Sequence, residues 1–189
     1  EGFGDSIGDG IEVPMGTAER FGDHFVHDME VDQVFCRHFQ GGGGITNLIV
    51  DGGTLTGTHT VTGTLRFRSG AIGGVLLIES NATFLVEGGT GKTLSAITTN
   101  RGTFQVSGGD LTLTGSIDNE GLLNLTSDVR LLTVQSQPRP LRNTGTLRKS
   151  AGTGTADVGV GGFYGLSLTN SGLIEVQSGV ISFFGGGTL

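Results

Sequence analysis

The chain has 189 residues, which is enough for one ordinary domain or for one rod with an attached cap. Hydrophobic residues make up 35% and charged residues 15% of the chain, a composition that excludes a disordered polyelectrolyte. Residues 1–40 contain nine acidic and two basic residues, whereas residues 41–189 contain nine of each. Because no basic patch can neutralise phosphates, we expect no nucleic-acid binding. No stretch reaches the ~18 apolar residues of a membrane span.

The N-terminal segment holds the candidate metal ligands. His24 and His27, with Asp23 and Asp28, offer the donor atoms that zinc binds, but their spacing matches no established zinc pattern. Exposed cap residues are the plainer interpretation of this cluster. The stretch 4–10, Gly-Asp-Ser-Ile-Gly-Asp-Gly, is similar to a single imperfect calcium turn of the Gly/Asp type. A flexible acidic start is the plainer interpretation of this stretch, so no cofactor is predicted, with calcium as the alternative.

Cys36 is the single cysteine, which excludes an internal disulfide framework. A buried thiol is the default interpretation, with a metal ligand or an intermolecular bridge as alternatives. The chain starts at Glu1 without a methionine or a signal peptide. We expect either a processed mature chain or a piece of a longer protein.

From about residue 45 the sequence repeats, and the repeat decides the predicted fold. The first pattern is Asn-x-Gly followed by alternating apolar and polar residues, with starts 19, 24 and 27 residues apart at Asn100, Asn119, Asn143 and Asn170. A second pattern, Val-x-Gly-Gly, begins at Val50 and Val106 and is interleaved with the first. Each unit therefore contains turns and two or three short strands.

The period distinguishes a solenoid from a hairpin meander, which would show the same alternation within strands. Roughly 20 to 27 residues with two or three short strands fit one coil of a parallel β-helix. About six coils fit into residues 45–189, which predicts a rod on the order of 30 Å long at ~4.8 Å per coil. Two stacks of side chains are expected. The internal stack contains Phe104, Leu123, Leu147 and Ile174. The other lies at a corner, where side-chain amides bond between coils, and contains Asn100, Asn119, Asn143 and Asn170.

The two ends of the predicted rod differ. We interpret residues 1–44 as an acidic N-terminal cap or linking segment, because an open solenoid end exposes strand edges that natural rods cover. Within it, Gln40–Gly44 is expected to be a hinge into the first coil. The C-terminal stretch Ile181–Leu189 ends as though another coil should follow. Either the chain is a fragment of a longer protein, or this face stacks on a neighbour; on the second alternative we expect self-association through the solenoid ends.

Residues 147–155 and 168–179 resemble repeats of large secreted bacterial β-helix proteins, which include autotransporter-like and filamentous adhesins. The resemblance covers roughly residues 45–189. It implies a right-handed parallel β-helix at a cell surface or in extracellular material, and it transfers no catalytic residue. The predicted function is thus a structural extracellular building block of a fibre, sheath or adhesin, with surface glycans as candidate partners.

The main alternative is a β-helix protein that binds or cleaves polysaccharides. Cleavage needs clustered carboxylates on one lateral face. The acidic residues after residue 45 are scattered, and only Asp118 and Glu120 lie close together, on either side of Asn119. Solvated turn residues explain this pair equally well, so we predict no enzyme. Binding without catalysis is disfavoured because Tyr164 is the one tyrosine and tryptophan is absent.

Threonine alternates with other residues from Thr54 to Thr64. A flat threonine array can bind ice, but it needs threonine repeated coil after coil, and outward threonine is also simply a good strand residue. Asn81 and Asn124 each begin an N-glycosylation sequon, which has meaning only in a suitable secretory setting. Asn124 is expected to face outward and to be usable.

Overall fold

The computed structural model describes residues 38–133, 139–160 and 165–188. In these ranges the chain forms strands and turns and no helix, and every strand pairing is parallel, which confirms the predicted all-β solenoid. The strands are β1 (His38–Val50), β2 (Gly53–Phe67), β3 (Gly70–Ile72), β4 (Val75–Ile78), β5 (Thr83–Val86), β6 (Lys92–Leu94), β7 (Ile97–Asn100), β8 (Thr103–Val106), β9 (Leu111–Leu113), β10 (Ser116–Asn119), β11 (Leu122–Leu125), β12 (Arg130–Thr133), β13 (Arg139–Asn143), β14 (Thr146–Lys149), β15 (Thr155–Val160), β16 (Leu166–Asn170), β17 (Leu173–Val176), β18 (Val180–Phe183) and β19 (Gly187–Thr188).

The strands form three lateral faces because each pairs with the strand three places further along the chain. Face A contains β3, β6, β9, β12, β15 and β18, and face B contains β4, β7, β10, β13, β16 and β19. Face C contains β5, β8, β11, β14 and β17. Each of the long strands β1 and β2 runs through a whole coil, so the described chain makes about seven coils. At ~4.8 Å per coil the rod is roughly 34 Å long.

The core consists of columns, which are sets of inward-facing residues that pair across successive coils. The rings of Phe84 and Phe104 lie with their centroids 4.7 Å apart and their planes tilted by 44°. Each fully buried side chain of this size stabilises the fold by roughly 1.5–3 kcal/mol. One column on face C contains the predicted internal stack and runs through Leu65, Phe84, Phe104, Leu123, Leu147 and Ile174.

The solenoid begins earlier than the sequence suggested. Strand β1 starts at His38, upstream of Ile45, and the predicted hinge Gln40–Gly44 lies inside this strand. The first two coils approach closely at two glycines: a Cβ on Gly57 would lie 1.5 Å from the carbonyl oxygen of Gly41, and a Cβ on Gly42 would lie 2.8 Å from that of Thr58. This glycine run therefore forms a strand without side-chain alternation, and its inclusion raises the number of coils from six to about seven.

Candidate functional site

The four repeated asparagines end β7, β10, β13 and β16, and their amides form one ladder inside the rod. The amide nitrogen of Asn100 donates to the amide oxygen of Asn119 at 2.7 Å. The next two steps, from Asn119 to Asn143 and from Asn143 to Asn170, measure 2.6 Å each. The same three amide nitrogens also donate to carbonyls of the following coil. The ladder thus joins four coils, and its donors all point toward the C-terminal end.

The last coil exposes apolar side chains at positions that are buried one coil earlier. Val176 pairs with Lys149 and Phe183 pairs with Val158, and both partners are buried. Val176 is 48% and Phe183 36% exposed. The exposed large hydrophobic residues of this coil are Leu173, Val176, Val180, Phe183 and Phe184. We call the surface formed by these five residues the C-terminal end face.

The opposite end differs from the C-terminal end face. Ile45 and Val50, which face inward from β1, are only 7% and 0% exposed. Among the described pairings, β17, β18 and β19 each pair with one strand of the coil below. Their outer edges therefore lack a partner within the described chain, so the C-terminal end face combines open backbone edges with uncovered apolar side chains.

The edge of the last coil carries little of the protection that natural edge strands use, which is lysine, proline or inward-pointing charge. The single charged residue in 165–188 is Glu175. Its carboxylate accepts hydrogen bonds from Gln177 at 2.8 Å and from Arg148 at 2.7 Å. These two bonds, with that of Gln177 the stronger cause, hold the pKa of Glu175 below its usual value. The end face is therefore almost free of charge repulsion.

Lateral charges of the described residues are used to join coils. The carboxylates of Asp118 and Glu120 face different arginines: Asp118 lies 3.8 Å from Arg142, and Glu120 lies 3.1 Å from Arg101. The two are therefore engaged with separate coils. The described ion pairs, each between neighbouring coils, are Arg66–Glu87, Arg68–Glu87, Arg101–Glu120, Arg130–Asp110, Arg142–Asp118, Arg148–Glu175 and Lys149–Asp128.

One of these links contains a fully buried lysine, which was not predicted from the sequence. The ammonium of Lys149 lies 2.8 Å from Asp128 and donates to the carbonyls of Ala151 at 2.6 Å and Gly152 at 3.0 Å. The other oxygen of Asp128 accepts from the backbone of Gly154 at 3.0 Å. The bond from Lys149, followed by that from Gly154, holds the pKa of Asp128 below its usual value. The sequence feature that could have predicted this buried link is a lysine in an otherwise apolar column, followed by a glycine-rich corner.

A second buried lysine, Lys92, begins β6 and donates to the carbonyls of Gly88 and Gly89. Burial lowers its pKa, and the charge of Asp110 opposes that effect. Both lysines flank a corner between a face C strand and the following face A strand: Lys149 ends β14 and Lys92 begins β6. Their ammonium groups donate hydrogen bonds to backbone carbonyls of the corner. They stabilise the corners and do not form an open binding site.

The threonine run does not form a flat array. Strand β2 passes around all three faces, so Thr54 pairs with face A, Thr58 with face B and Thr64 with face C. Its threonines alternate with inward-facing residues such as Leu55 and Val61. The run therefore surrounds one coil. From coil to coil threonine repeats on face C at Thr64, Thr83 and Thr103, whereas Thr54 and Thr58 pair with Ala71 and Val75, so the run as a whole is not repeated.

The two sequons differ in accessibility. Asn81 is exposed in a turn. Asn124 lies in β11 and is only partly exposed, and its buried amide oxygen has no hydrogen-bond partner within the described chain. Asn124 pairs with Gln105 and Arg148, which are partly exposed as well, and its use as a glycosylation site stays a prediction.

The N-terminal candidates His24, His27, Asp23 and Asp28, and also Cys36, lie outside the described residues. Within the described ranges, no group of three or more His, Cys, Asp or Glu side chains is placed to hold a metal ion. The same ranges contain no helix long and apolar enough to cross a membrane. In the comparisons with known proteins, no family model, curated protein or solved structure matches the chain.

Proposed function

We propose that the protein is a structural extracellular building block, a β-solenoid that assembles through its end into a surface fibre, sheath or adhesin. The observation that carries this proposal is the C-terminal end face, where inward column positions such as Val176 and Phe183 are exposed. Open parallel strand edges beside uncovered apolar side chains template pairing with another chain. Burial of this surface would supply the driving force.

The lateral surface supports a structural function as well. Ion pairs and the asparagine ladder connect successive coils along the described rod. Such links hold the coils in one register and make a stiff element, which is what a fibre or a presenting stalk requires. The extracellular location and the adhesin-like use, with surface glycans as partners, rest on the resemblance of the repeats to secreted β-helix proteins.

Glycan cleavage is the alternative, and the placement of the carboxylates gives it no support. Asp118 and Glu120 face separate arginines, so neither is held as a poised acid or base. We expect no turnover of acidic polysaccharides such as pectate or alginate by the full chain. Turnover that disappears in Asp118→Ala or Glu120→Ala would replace the structural proposal with an enzymatic one.

Assembly through the end can be tested by light scattering over a concentration series. Val180→Lys places a charge on the open edge, whereas Val75→Lys makes the same change on face B, where Val75 is 42% exposed. We expect the wild type and Val75→Lys to associate, and the association constant of Val180→Lys to fall by about tenfold or more, the effect of 1.4 kcal/mol. Monomers at every concentration in the wild type would contradict the proposal.

A further inference from the structure

We propose that the interior of the rod binds one water molecule in the fourth coil, between the hydroxyl of Thr98 and the amide oxygen of Asn100. Both residues belong to β7, which pairs with β4 on one side and with β10 on the other. Described coils thus enclose the site from both directions along the rod. The inference therefore does not depend on what lies beyond either end of the described chain, and it is independent of the proposed assembly.

The first member of the asparagine ladder has an acceptor without a donor. At each later step, the amide oxygen of an asparagine accepts a hydrogen bond from the asparagine of the preceding coil. The residue of the preceding coil that pairs with Asn100 is Ile78, whose side chain has no polar atom. The amide oxygen of Asn100 is buried and has no hydrogen-bond partner within the described chain.

A second unpartnered polar group lies on the same inward side of β7. Thr98 precedes Asn100 by two residues, so their side chains point to the same side of the strand, and both residues are 0% exposed. In its column, Thr98 lies between the apolar residues Leu76 and Ile117. The hydroxyl of Thr98 is buried and also has no hydrogen-bond partner among the described residues. A donor and an acceptor that both need partners are therefore neighbours inside the rod.

A water molecule matches these two groups in chemistry and in reach. The water accepts the hydroxyl proton of Thr98 and donates one of its own protons to the amide oxygen of Asn100. Residues two apart on a strand have Cα atoms about 6.6 Å apart, and two successive hydrogen bonds of about 2.8 Å each span the gap between side-chain atoms at this spacing. Two polar partners are about the minimum that a buried water requires.

The size of Thr98 leaves room for the water. Threonine lacks the terminal methyl group of isoleucine, and the neighbours of Thr98 in its column are the larger residues Leu76 and Ile117. A water molecule is about as large as a methyl group. Burial of polar groups without partners destabilises a fold, and a bound water removes this cost for both groups at once.

The bound water completes the asparagine ladder at the point where its column changes character. The column has Val61 in the second coil and Ile78 in the third, and asparagine from the fourth coil onward. Neither Val61 nor Ile78 can donate a hydrogen bond from its side chain to the ladder. The water supplies the donor that Ile78 lacks, so the amide oxygens of Asn100, Asn119, Asn143 and Asn170 all have partners.

Thr98→Val tests the site, because valine has the shape of threonine without its hydroxyl. With the water bound, the variant removes one partner of the water and leaves the amide oxygen of Asn100 unsatisfied, so we expect a lower urea midpoint of unfolding. Thr133→Val removes a buried hydroxyl that has a described partner, the carbonyl of Gly159, and calibrates the size of this fall. Without the water, Thr98→Val would remove an unsatisfied buried group. An unchanged or higher midpoint would therefore overturn the inference.

A crystal structure of the full chain locates the water directly. We expect density for one solvent molecule about 2.7–3.2 Å from both the Thr98 hydroxyl and the Asn100 amide oxygen, and we expect Thr98→Val to lose it. A direct hydrogen bond between the two side chains, or no solvent density between them in the wild type, would overturn the inference. Either result leaves the proposed assembly standing, since light scattering tests assembly separately.

Discussion

The middle and the C-terminal end of the rod have the same residue pattern but different burial. Leu123 and Leu147 in the middle are completely buried, whereas Ile174, the next residue of that column, is only partly covered. In the adjacent column, Lys149 is fully buried and Val176 is 48% exposed. The pattern within a strand decides which way a side chain points, and burial depends on whether another coil lies above it. The last described coil thus has the residue pattern of an ordinary coil, and the described residues place no further coil on it.

The most direct test of this difference in burial is to truncate a phenylalanine to alanine in each region. Phe104→Ala removes a completely buried ring in the middle, and we expect it to lower the free energy of unfolding by about 3–5 kcal/mol. Phe183→Ala, at a 36% exposed position, should cost less than about half of that, measured as monomer. Urea unfolding at low protein concentration measures both. Equal losses would contradict the claim that the end is uncovered.

The asparagine ladder offers a second, smaller difference. Asn119→Leu removes a central amide and leaves one N–H of Asn100 and the amide oxygen of Asn143 without partners, so we expect a loss of about 1–3 kcal/mol per unsatisfied group. Asn170→Leu, at the terminal step, disturbs one neighbouring amide and should cost less. Chemical denaturation of the two variants checks the order. A larger loss of unfolding free energy in Asn170→Leu than in Asn119→Leu would contradict the claim that a central amide of the ladder contributes more than the terminal one.

Acid stability should depend on the corner that contains Asp128. Because its pKa is lowered in the folded state, its contribution is present above the unfolded pKa and is lost as pH falls through the folded pKa. Unfolding midpoints measured from pH 6 down to pH 2 should fall less steeply in Asp128→Asn than in the wild type. If the unfolding midpoints of Asp128→Asn and the wild type fall equally steeply with pH, the Asp128 carboxylate does not cause the acid dependence.

The smallest expected effect is at His59, which is buried in the second coil. Burial lowers its pKa, and a hydrogen bond with the carbonyl of Thr56 opposes that shift. A lowered folded pKa means that the unfolded chain binds the proton first, so stability is greatest above pH ~6.5 and declines as pH falls toward the folded value. His59→Leu, which copies Leu76 of the next coil, should remove this decline. A decline that persists in the variant would assign it to another group.

The register of the middle coils was predictable from the sequence, because the repeat records a steric requirement. At each Asn-x-Gly corner the glycine lies against the previous coil: a Cβ on Gly121 would be 2.3 Å from the carbonyl oxygen of Gly102, and one on Gly145 would be 2.2 Å from that of Gly121. No other residue fits there. The columns of the core follow once these corners are aligned.

Other features depend on contacts that have no repeated signal. The glycines of β1 pair with β2 by backbone alone, so no alternation of apolar and polar residues predicts this strand. Lys149 is buried because Asp128 and two corner carbonyls surround its ammonium, a pairing between coils that spacing alone does not reveal. The partial burial of Asn124 likewise arises from its neighbours in the adjacent coils. These properties belong to the stack and not to a single repeat.

Amide hydrogen exchange as a function of protein concentration tests the central claim most directly. If the end face mediates assembly, amides of β17 and β18 should exchange quickly in dilute solution and become protected as concentration rises. Amides of β4 and β7, which are paired on both sides within the rod, should show no such change. Protection of the end strands that is independent of concentration, or that rises equally on face B, would contradict assembly through the C-terminal end face.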